Sequence, residues 1–413
     1  KASGGIRPIA VGSVLRRLVS KCIMAGIKGT AADILSPLQL GIGIPCGGEA
    51  IPRAVRYLVE NGSHRTLKVD LTNAFNNVHR DSMLNAVHHA FPSIFAWVQW
   101  CYGSSSPLFF GDFTLDSACG VQQGDPLGPL LFCLVLNPLL RSISNRCRLY
   151  LNAWDMDDGY LVGSASNLSS ALDIIEKDGP EHGLFLNRSK CEVAGPFKER
   201  EEFGDVIYMK TGLHCLGVPV GDWDYTFMSV LRSFSPYYNR FDAIAQLEDM
   251  QCTLTLLRYL VFSQVVFLLR TCPLYFVAST LREYDTHSRI CFSKIVGFTV
   301  SEHKFLQCGL PIHLGGFGIR SAYRHCPAAY FASCHAAGPL VERLCNLNPS
   351  SYASLASSAV HAKLLKGLGI TSLPEGSTQR DISKLLDKHC FDHLYEHEDI
   401  EGRTRLLAIQ QKH

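Results

Sequence analysis

Three carboxylates carry the chemistry this sequence could perform. Asp157 and Asp158 stand in LYLNAWDMDDGYLVG (149–163), where the apolar runs Tyr150–Trp154 and Tyr160–Val162 flank the cluster Asp155, Asp157 and Asp158. The third, Asp70, ends another apolar run in LKVDLTNAF (67–75). Asp-Asp-Gly alone is also an ordinary solvated turn, and an Asp after a strand is also a helix cap. Three acids on neighbouring strand ends have a sharper reading. They are the hard oxygen donors Mg²⁺ prefers, and a pair of such ions stabilises the attacking and leaving oxygens of phosphoryl transfer.

These acids need stiff supports, and the pattern supplies them. Residues 149–163 predict two strands joined by a tight turn, and 67–71 predicts another strand, leading to a helix over 81–89. Gln122-Gln123-Gly124-Asp125-Pro126 is an explicit helix start, with Asp as N-cap and Pro at the first helical position; the helix is expected over 127–140, ended or kinked at Pro138. Leu108–Phe113 and Ala118–Val121 predict a hairpin, 94–102 and 170–176 helices, and 185–193 an extended segment. A further hairpin is expected over 206–220 with Gly212 in its turn. At the start of the chain, Leu15, Leu18, Val19 and Cys22 recur at helical spacing with Arg16, Arg17 and Lys21 between them. The glycines of 41–48 match neither a dinucleotide-binding nor a P-loop spacing, so Gly47-Gly48-Glu49 is expected to open a helix running to about Glu60.

With 413 residues, 47% of them hydrophobic, the chain can build two or three lobes. The formal charge of +2 is small for a nucleic-acid binder. Residues 1–30, however, hold Lys1, Arg7, Arg16, Arg17, Lys21 and Lys28 and no acid, a patch suited to a polyanion or to a solvated face. The 16 cysteines include no Cys-x-x-C pair and predict free thiols in a reducing, intracellular compartment. Two loose sets, His389/Cys390/His393/His397 and Cys326/Cys334/His335/Cys345, match no zinc-module spacing. Leu254–Leu269 is the most apolar stretch; Arg258, Ser263 and Gln264 interrupt it, so a buried helix is expected rather than a membrane span, and no membrane partner. The chain opens on Lys and shows no signal peptide, which predicts a fragment.

The ordered motifs resemble the reverse transcriptases of non-LTR retrotransposons. RPIAVGSVLRRLVSK (7–21) is similar to the family's finger segment and Gln39-Leu40-Gly41 to its template-contacting turn. DLTNAFNNVHRD (70–81), GVQQGDPLGPLLF (120–132) and DMDDG (155–159) resemble its three catalytic motifs, while LNRSKCE (186–192) and LGVPVG (216–221) resemble those closing the palm. LPIHLGGFGIR…AAYFASC (310–334) is similar to the segment following the thumb. Six motifs in order across residues 7–221 are far more specific than any one.

The resemblance implies an α+β fold: a right-hand polymerase palm, with an antiparallel sheet and helices on one face, partial fingers and a mostly helical thumb. It implies fingers over 1–66, palm over 67–221, helical thumb and post-thumb segment over 222–346, and a loosely packed extension over 347–413. It also implies an RNA-directed DNA polymerase that binds an RNA template, a DNA primer and dNTP, in the nucleus, with Mg²⁺ or substitute Mn²⁺ on Asp70 and Asp157 and Asp158 in support. Phe75 would lie beneath the sugar and exclude a 2′-OH, Gln123 and Gly124 would support nucleotide and template base, Arg7 would grip the triphosphate, and Lys190 would protonate departing pyrophosphate. Two residues depart from the family: Asp155 replaces an aromatic residue and Gly128 a serine. They leave an alternative, a catalytically inactive nucleic-acid-binding remnant. A second rival, an RNA-dependent RNA polymerase on the same palm, is opposed by Phe75.

Overall fold

The computed structural model describes residues 9–62, 64–196, 203–374 and 376–410. The chain divides into two compact units, one reaching to Leu216 and the other beginning at Gly217. The first contains α1 (Val14–Leu35), α2 (Gly47–Glu60), β1 (Arg65–Val69), α3 (Ala74–Asn77), α4 (Arg80–Ala90) and α5 (Phe95–Tyr102). The hairpin strands β2 (Ser106–Phe110) and β3 (Phe113–Ser117) follow, then α6 (Gly128–Arg146), β4 (Leu149–Asp155), β5 (Asp158–Gly163) and α7 (Ala165–Asp178). Three short strands close it: β6 (Glu192–Ala194), β7 (Ile207–Met209) and β8 (Gly212–Cys215).

Five strands form one sheet in the order β4-β5-β1-β6-β7, antiparallel except at the β6–β7 edge, which is parallel. Alternation along the strands gives the sheet two apolar faces. Leu67, Val69, Leu161 and Val193 pack with Met83 and Val87 of α4, Leu131 and Phe132 of α6, and Leu168 and Ile175 of α7. On the other face, Leu151, Ala153, Tyr160 and Val162 are buried, and α2 lies against β4, β5 and β1. The palm helices therefore share one face, while an N-terminal helix covers the other.

Several local expectations change. The exposed hairpin turns at Gly111 (φ 57°) and Asp112, earlier than expected, because the glycine takes the left-handed turn that breaks the apolar run. Pro138 does not end α6, whose Leu136, Leu139, Leu140 and Ile143 are buried; packing offsets the roughly 3 kcal/mol that an internal proline costs. Only Glu192–Ala194 of 185–193 is a strand, after a 3₁₀ turn at Arg188–Lys190. Ile207–Met209 joins β6 in parallel, so no hairpin turns at Gly212.

The second unit begins with β9 (Val218–Gly221) and is otherwise helical: α8 (Trp223–Ala245), α9 (Met250–Leu256), α10 (Phe262–Thr271), α11 (Leu274–Val296), α12 (Glu302–Gly309), α13 (Ala322–Leu344), α14 (Ser351–Leu368), α15 (Gln379–His397) and α16 (Ile400–Gln410). Tyr284 of α11 meets Phe234 and Phe241 of α8 edge-on, at 5.3 and 5.1 Å. Residues beyond 347, expected to be loosely packed, instead form α14 against α13, with Val360, Leu364, Leu368 and Ile382 in the core. The Ser/Ala-rich composition of α14 concealed this, since it needs only one stripe of large residues to dock. Met250–Thr271 is, by length and composition, apolar enough to cross a membrane, contrary to expectation. A core helix can pass the same test. Here a π-turn over Leu257–Val261 interrupts the helix; Leu257, Val265 and Leu269 are buried while Tyr259 and Phe267 stay exposed, so it is not buried throughout.

Arg80, only 8% exposed, is a structural hub of the first unit. It donates to the carbonyls of Gly120 (3.1 Å) and Ser104 (3.2 Å) and to Ser117 Oγ (2.9 Å), and its guanidinium lies 5.3 Å from the Tyr102 ring centroid. Arg80→Ala leaves the buried Gly120 carbonyl without this donor and removes the two part-buried bonds, and should cost on the order of 3 kcal/mol in urea unfolding. Arg146→Ala, which removes the exposed pair with Asp178, should cost less than about 1 kcal/mol. Equal losses would contradict the assignment.

Candidate active site

The β4–β5 hairpin closes through a two-residue turn: Asp155 pairs with Asp158, leaving Met156 and Asp157 at the tip. Met156 has φ 57°, a left-handed conformation that costs a non-glycine residue about 1 kcal/mol or more. Strand β1 runs antiparallel to β5 with Val69 opposite Gly159. One further step along both strands sets Asp70 beside Asp158. The backbone of Asp70 is fixed from its other side, where its carbonyl accepts from Asn187 N–H at 2.9 Å and its N–H meets Cys191 Sγ at 3.4 Å.

Asp70, Asp157 and Asp158 line one cavity of about 970 Å³, together with Phe75, Gln123, Gly124 and Lys190. Every site residue expected from sequence thus faces the same space except Arg7, which lies outside the described residues. A second cavity of about 360 Å³, in the other unit, is largely apolar, and its buried Asp387 is already paired with Arg320 at 2.8 Å. The chemistry belongs to the first.

The floor of this cavity is built from the two other motifs. The Phe75 ring stacks on Phe132 of α6 (4.5 Å between centroids, 20° between planes), so it is both core and cavity wall. Its carbonyl accepts from Val121 N–H at 2.8 Å, and Gln123 Nε2 donates to Asn76 Oδ1 at 3.1 Å, joining the loop before α6 to the segment after β1. Gly124 has φ 141°, and a Cβ there would stand 2.5 Å from the Ala10 carbonyl oxygen; backbone room alone requires glycine. Asp125 accepts from Leu127 N–H (3.0 Å), from the Tyr102 hydroxyl (2.8 Å) and from Arg16 (3.3 Å). The expected cap is displaced: α6 begins at Gly128 with Leu127 as its N-cap and no side-chain cap, so Asp125 lies before the helix and instead ties α1 and α5 to the loop.

Two cations in the wall were read in the sequence only as part of a basic face: Arg17 and Lys21 of α1. Their i, i+4 spacing was the available signal, since it puts both on one helical side. Arg188 is taken by α7, meeting Glu176 at 2.5 Å and Asp173 at 3.2 Å, whereas Lys190 is exposed and faces the cavity. Gln39 and Leu40 are fully buried and present no side chain to a template, contrary to the resemblance. Asp155 is not part of the cavity wall; its carboxylate lies against Gly41 and Gly48.

Crowding of like charges marks the cavity. The Asp158 carboxyl, though its residue is exposed, is pushed up to about 6 by desolvation, then by Asp157, with smaller contributions from Asp155 and Asp70 against the opposing Lys68. Burial and then Asp157 raise Asp155 as well. A divalent cation relieves such repulsion, and an all-carboxylate donor set suits Mg²⁺. Among the described residues no group of three or more His, Cys, Asp or Glu side chains is arranged to hold a metal ion by itself. Mg²⁺ keeps waters and substrate phosphates in its shell, so one or two carboxylates would be enough to hold it here. Because Asp158 is raised in the folded state above its unfolded value, its stability contribution falls as pH rises from about 4 to 6. Asp158→Asn should melt higher than the parent at pH 7.5 without divalent metal, with the difference vanishing near pH 4. A difference independent of pH would contradict this origin.

The chain is 24% identical over 346 residues to the Retrotransposable element SLACS 132 kDa protein of Trypanosoma brucei gambiense, covering 78% of this chain and 27% of that protein. It is 30% identical over 212 residues to the Retrovirus-related Pol polyprotein from type-2 retrotransposable element R2DM of Drosophila melanogaster, covering 46% and 19%. It thus spans about a quarter or less of these relatives. Among solved structures, telomerase from Candida albicans with a fragment of telomeric RNA has TM-score 0.37 at 12% identity, covering 82% of this chain and 59% of that one. Apo telomerase from Candida tropicalis has TM-score 0.41 at 11% identity, covering 92% and 60%. Residues 1–220, more than half of the chain, match the family described as Reverse transcriptase (RNA-dependent DNA polymerase), and to that family the chain belongs.

Proposed function

We propose that this chain is the polymerase part of a non-LTR retrotransposon protein, adding deoxynucleotides to a primer 3′ end against an RNA template. The observation that carries the reading is the convergence of Asp70 and Asp157, from separate motifs, on one cavity with Phe75, Gln123 and Lys190. The printed names of both retrotransposon relatives support the source.

When bound at the carboxylates, Mg²⁺ acidifies the primer hydroxyl and neutralises charge on the triphosphate and departing pyrophosphate. Asp70 and Asp157 hold the metal, and Asp158 adds negative potential beside them. The Phe75 ring, held flat against Phe132, walls the sugar and leaves no room for a 2′-OH. Gln123 and Gly124 form the loop on which the base pair rests. Arg17 and Lys21 bring positive charge to the phosphates, and Lys190 gives a proton to pyrophosphate as it leaves. The helical second unit binds the primer–template duplex, and the nucleus is the compartment in which it acts.

The placement of Asp155 favours this active reading over an inactive remnant. Its carboxylate lies against Gly41 and Gly48, outside the cavity wall, so replacing the aromatic residue adds no fourth carboxylate beside Asp70, Asp157 and Asp158, and its charge reaches Asp158 only as a smaller contribution. Primer extension with Mg²⁺ tests the assignment. Asp157→Asn should lower the rate about 10³-fold while leaving primer–template affinity within a few-fold of the parent. Parent protein that binds duplex but never extends it, with either Mg²⁺ or Mn²⁺, would instead establish the remnant.

A further inference from the structure

Among the described residues no strand lies beside the tip of the β4–β5 hairpin, yet its backbone is paired. Gln39, with no exposed surface, donates from Nε2 to the Met156 carbonyl at 2.9 Å and accepts at Oε1 from the Met156 N–H at 2.7 Å. Its Oε1 also accepts from Gly41 N–H at 3.1 Å. One buried amide thus takes both backbone groups of the residue in the left-handed conformation, the residue immediately before Asp157.

We propose that Gln39 is a positioning residue of the polymerase: it acts as a one-residue strand that holds the turn carrying Asp157. The inference rests on the polymerase reading above. Gln39 is itself placed by backbone: Leu40 N–H donates to the Trp154 carbonyl at 2.7 Å and Trp154 N–H to the Leu38 carbonyl at 2.8 Å. The segment between α1 and α2 therefore docks on the edge of β4, and its side-chain amide reaches past the last backbone pair to the turn. The close approach shows in the neighbouring glycine. A Cβ on Gly41 would stand 2.3 Å from Asp155 Oδ1 and 3.0 Å from Met156 N, so only glycine lets the segment lie this near.

The physical case follows from burial. A primary amide away from water costs free energy unless its groups are paired, and here pairing and turn geometry are mutually dependent. Removing the amide leaves the Met156 N–H and C=O without this partner in a strained turn, and the turn then relaxes. Asp157 moves with it. Small misplacement of a metal-holding group costs rate rather than affinity for the nucleic acid, because Gln39 is buried and does not line the cavity.

The test compares parent, Gln39→Leu and Gln39→Glu in three measurements: Mn²⁺ binding without nucleotide by electron paramagnetic resonance, primer extension, and primer–template affinity. Gln39→Leu should weaken Mn²⁺ binding and lower kcat about tenfold or more, with primer–template Kd and dNTP KM changed less than about twofold. Gln39→Glu keeps the acceptor, loses the donor, and should fall between; it also decides the matter if the leucine variant does not fold. Folded variants with parental Mn²⁺ affinity and kcat would overturn the inference. So would a loss confined to primer–template affinity, which would make Gln39 a template contact. Parent protein that neither binds Mn²⁺ nor extends a primer would remove the polymerase reading itself, and this inference with it.

Discussion

The constraint on which the rest depends is the antiparallel register of β1 on β5. With Val69 opposite Gly159, the end of one strand and the tip of the next hairpin meet, and Asp70 arrives beside Asp158. A slip of one residue would turn Leu67 and Val69 out of the core that they share with α4, α6 and α7. Hydrophobic burial therefore sets the register, and the register sets the acids. The site's like charges are tolerated because the apolar faces below them supply the stability. Raised proton affinity at Asp158 is the local cost of crowding them.

Around that register, buried polar side chains do the finer positioning. Asp125 joins α1, α5 and the start of α6, Arg80 ties the loop before α6 to the exposed hairpin, and Gln39 ties the α1–α2 connection to the acidic turn. Each replaces several water hydrogen bonds with directional bonds inside protein, where an unmade bond is expensive. That asymmetry gives rigidity where reacting groups must be held. All three bridge segments far apart in sequence, so the pocket is assembled only when the first unit is folded.

Much of this was legible before any coordinates. Asp70 and Asp157 stand out because strand-ending acids have a local signature, and the order of the motifs identifies the family; the Asp-Pro signal announced the helix but set its start too early, at Asp125 rather than Leu127. Long-range pairing was not legible. No local pattern says that Ile207–Met209 joins β6 in parallel, or that Pro138 survives inside a helix buried along most of its length. Gln39 showed the limit most clearly: the resemblance offered it to the template, yet its amide is enclosed by a turn more than a hundred residues further along the chain. Arg17 and Lys21 looked like solvated charge because the cavity facing them is formed by the segment after β1, the β4–β5 turn and the loop before α6.

In the proposed mechanism Asp70 and Asp157 share a divalent cation. Anomalous diffraction from crystals grown with Mn²⁺, primer–template and an incoming nucleotide tests it directly. A manganese peak within coordination distance of both carboxylates, about 2 to 2.5 Å, is the predicted result. Manganese bound elsewhere, or side chains of Asp70 and Asp157 that diverge with no peak between them, would contradict it.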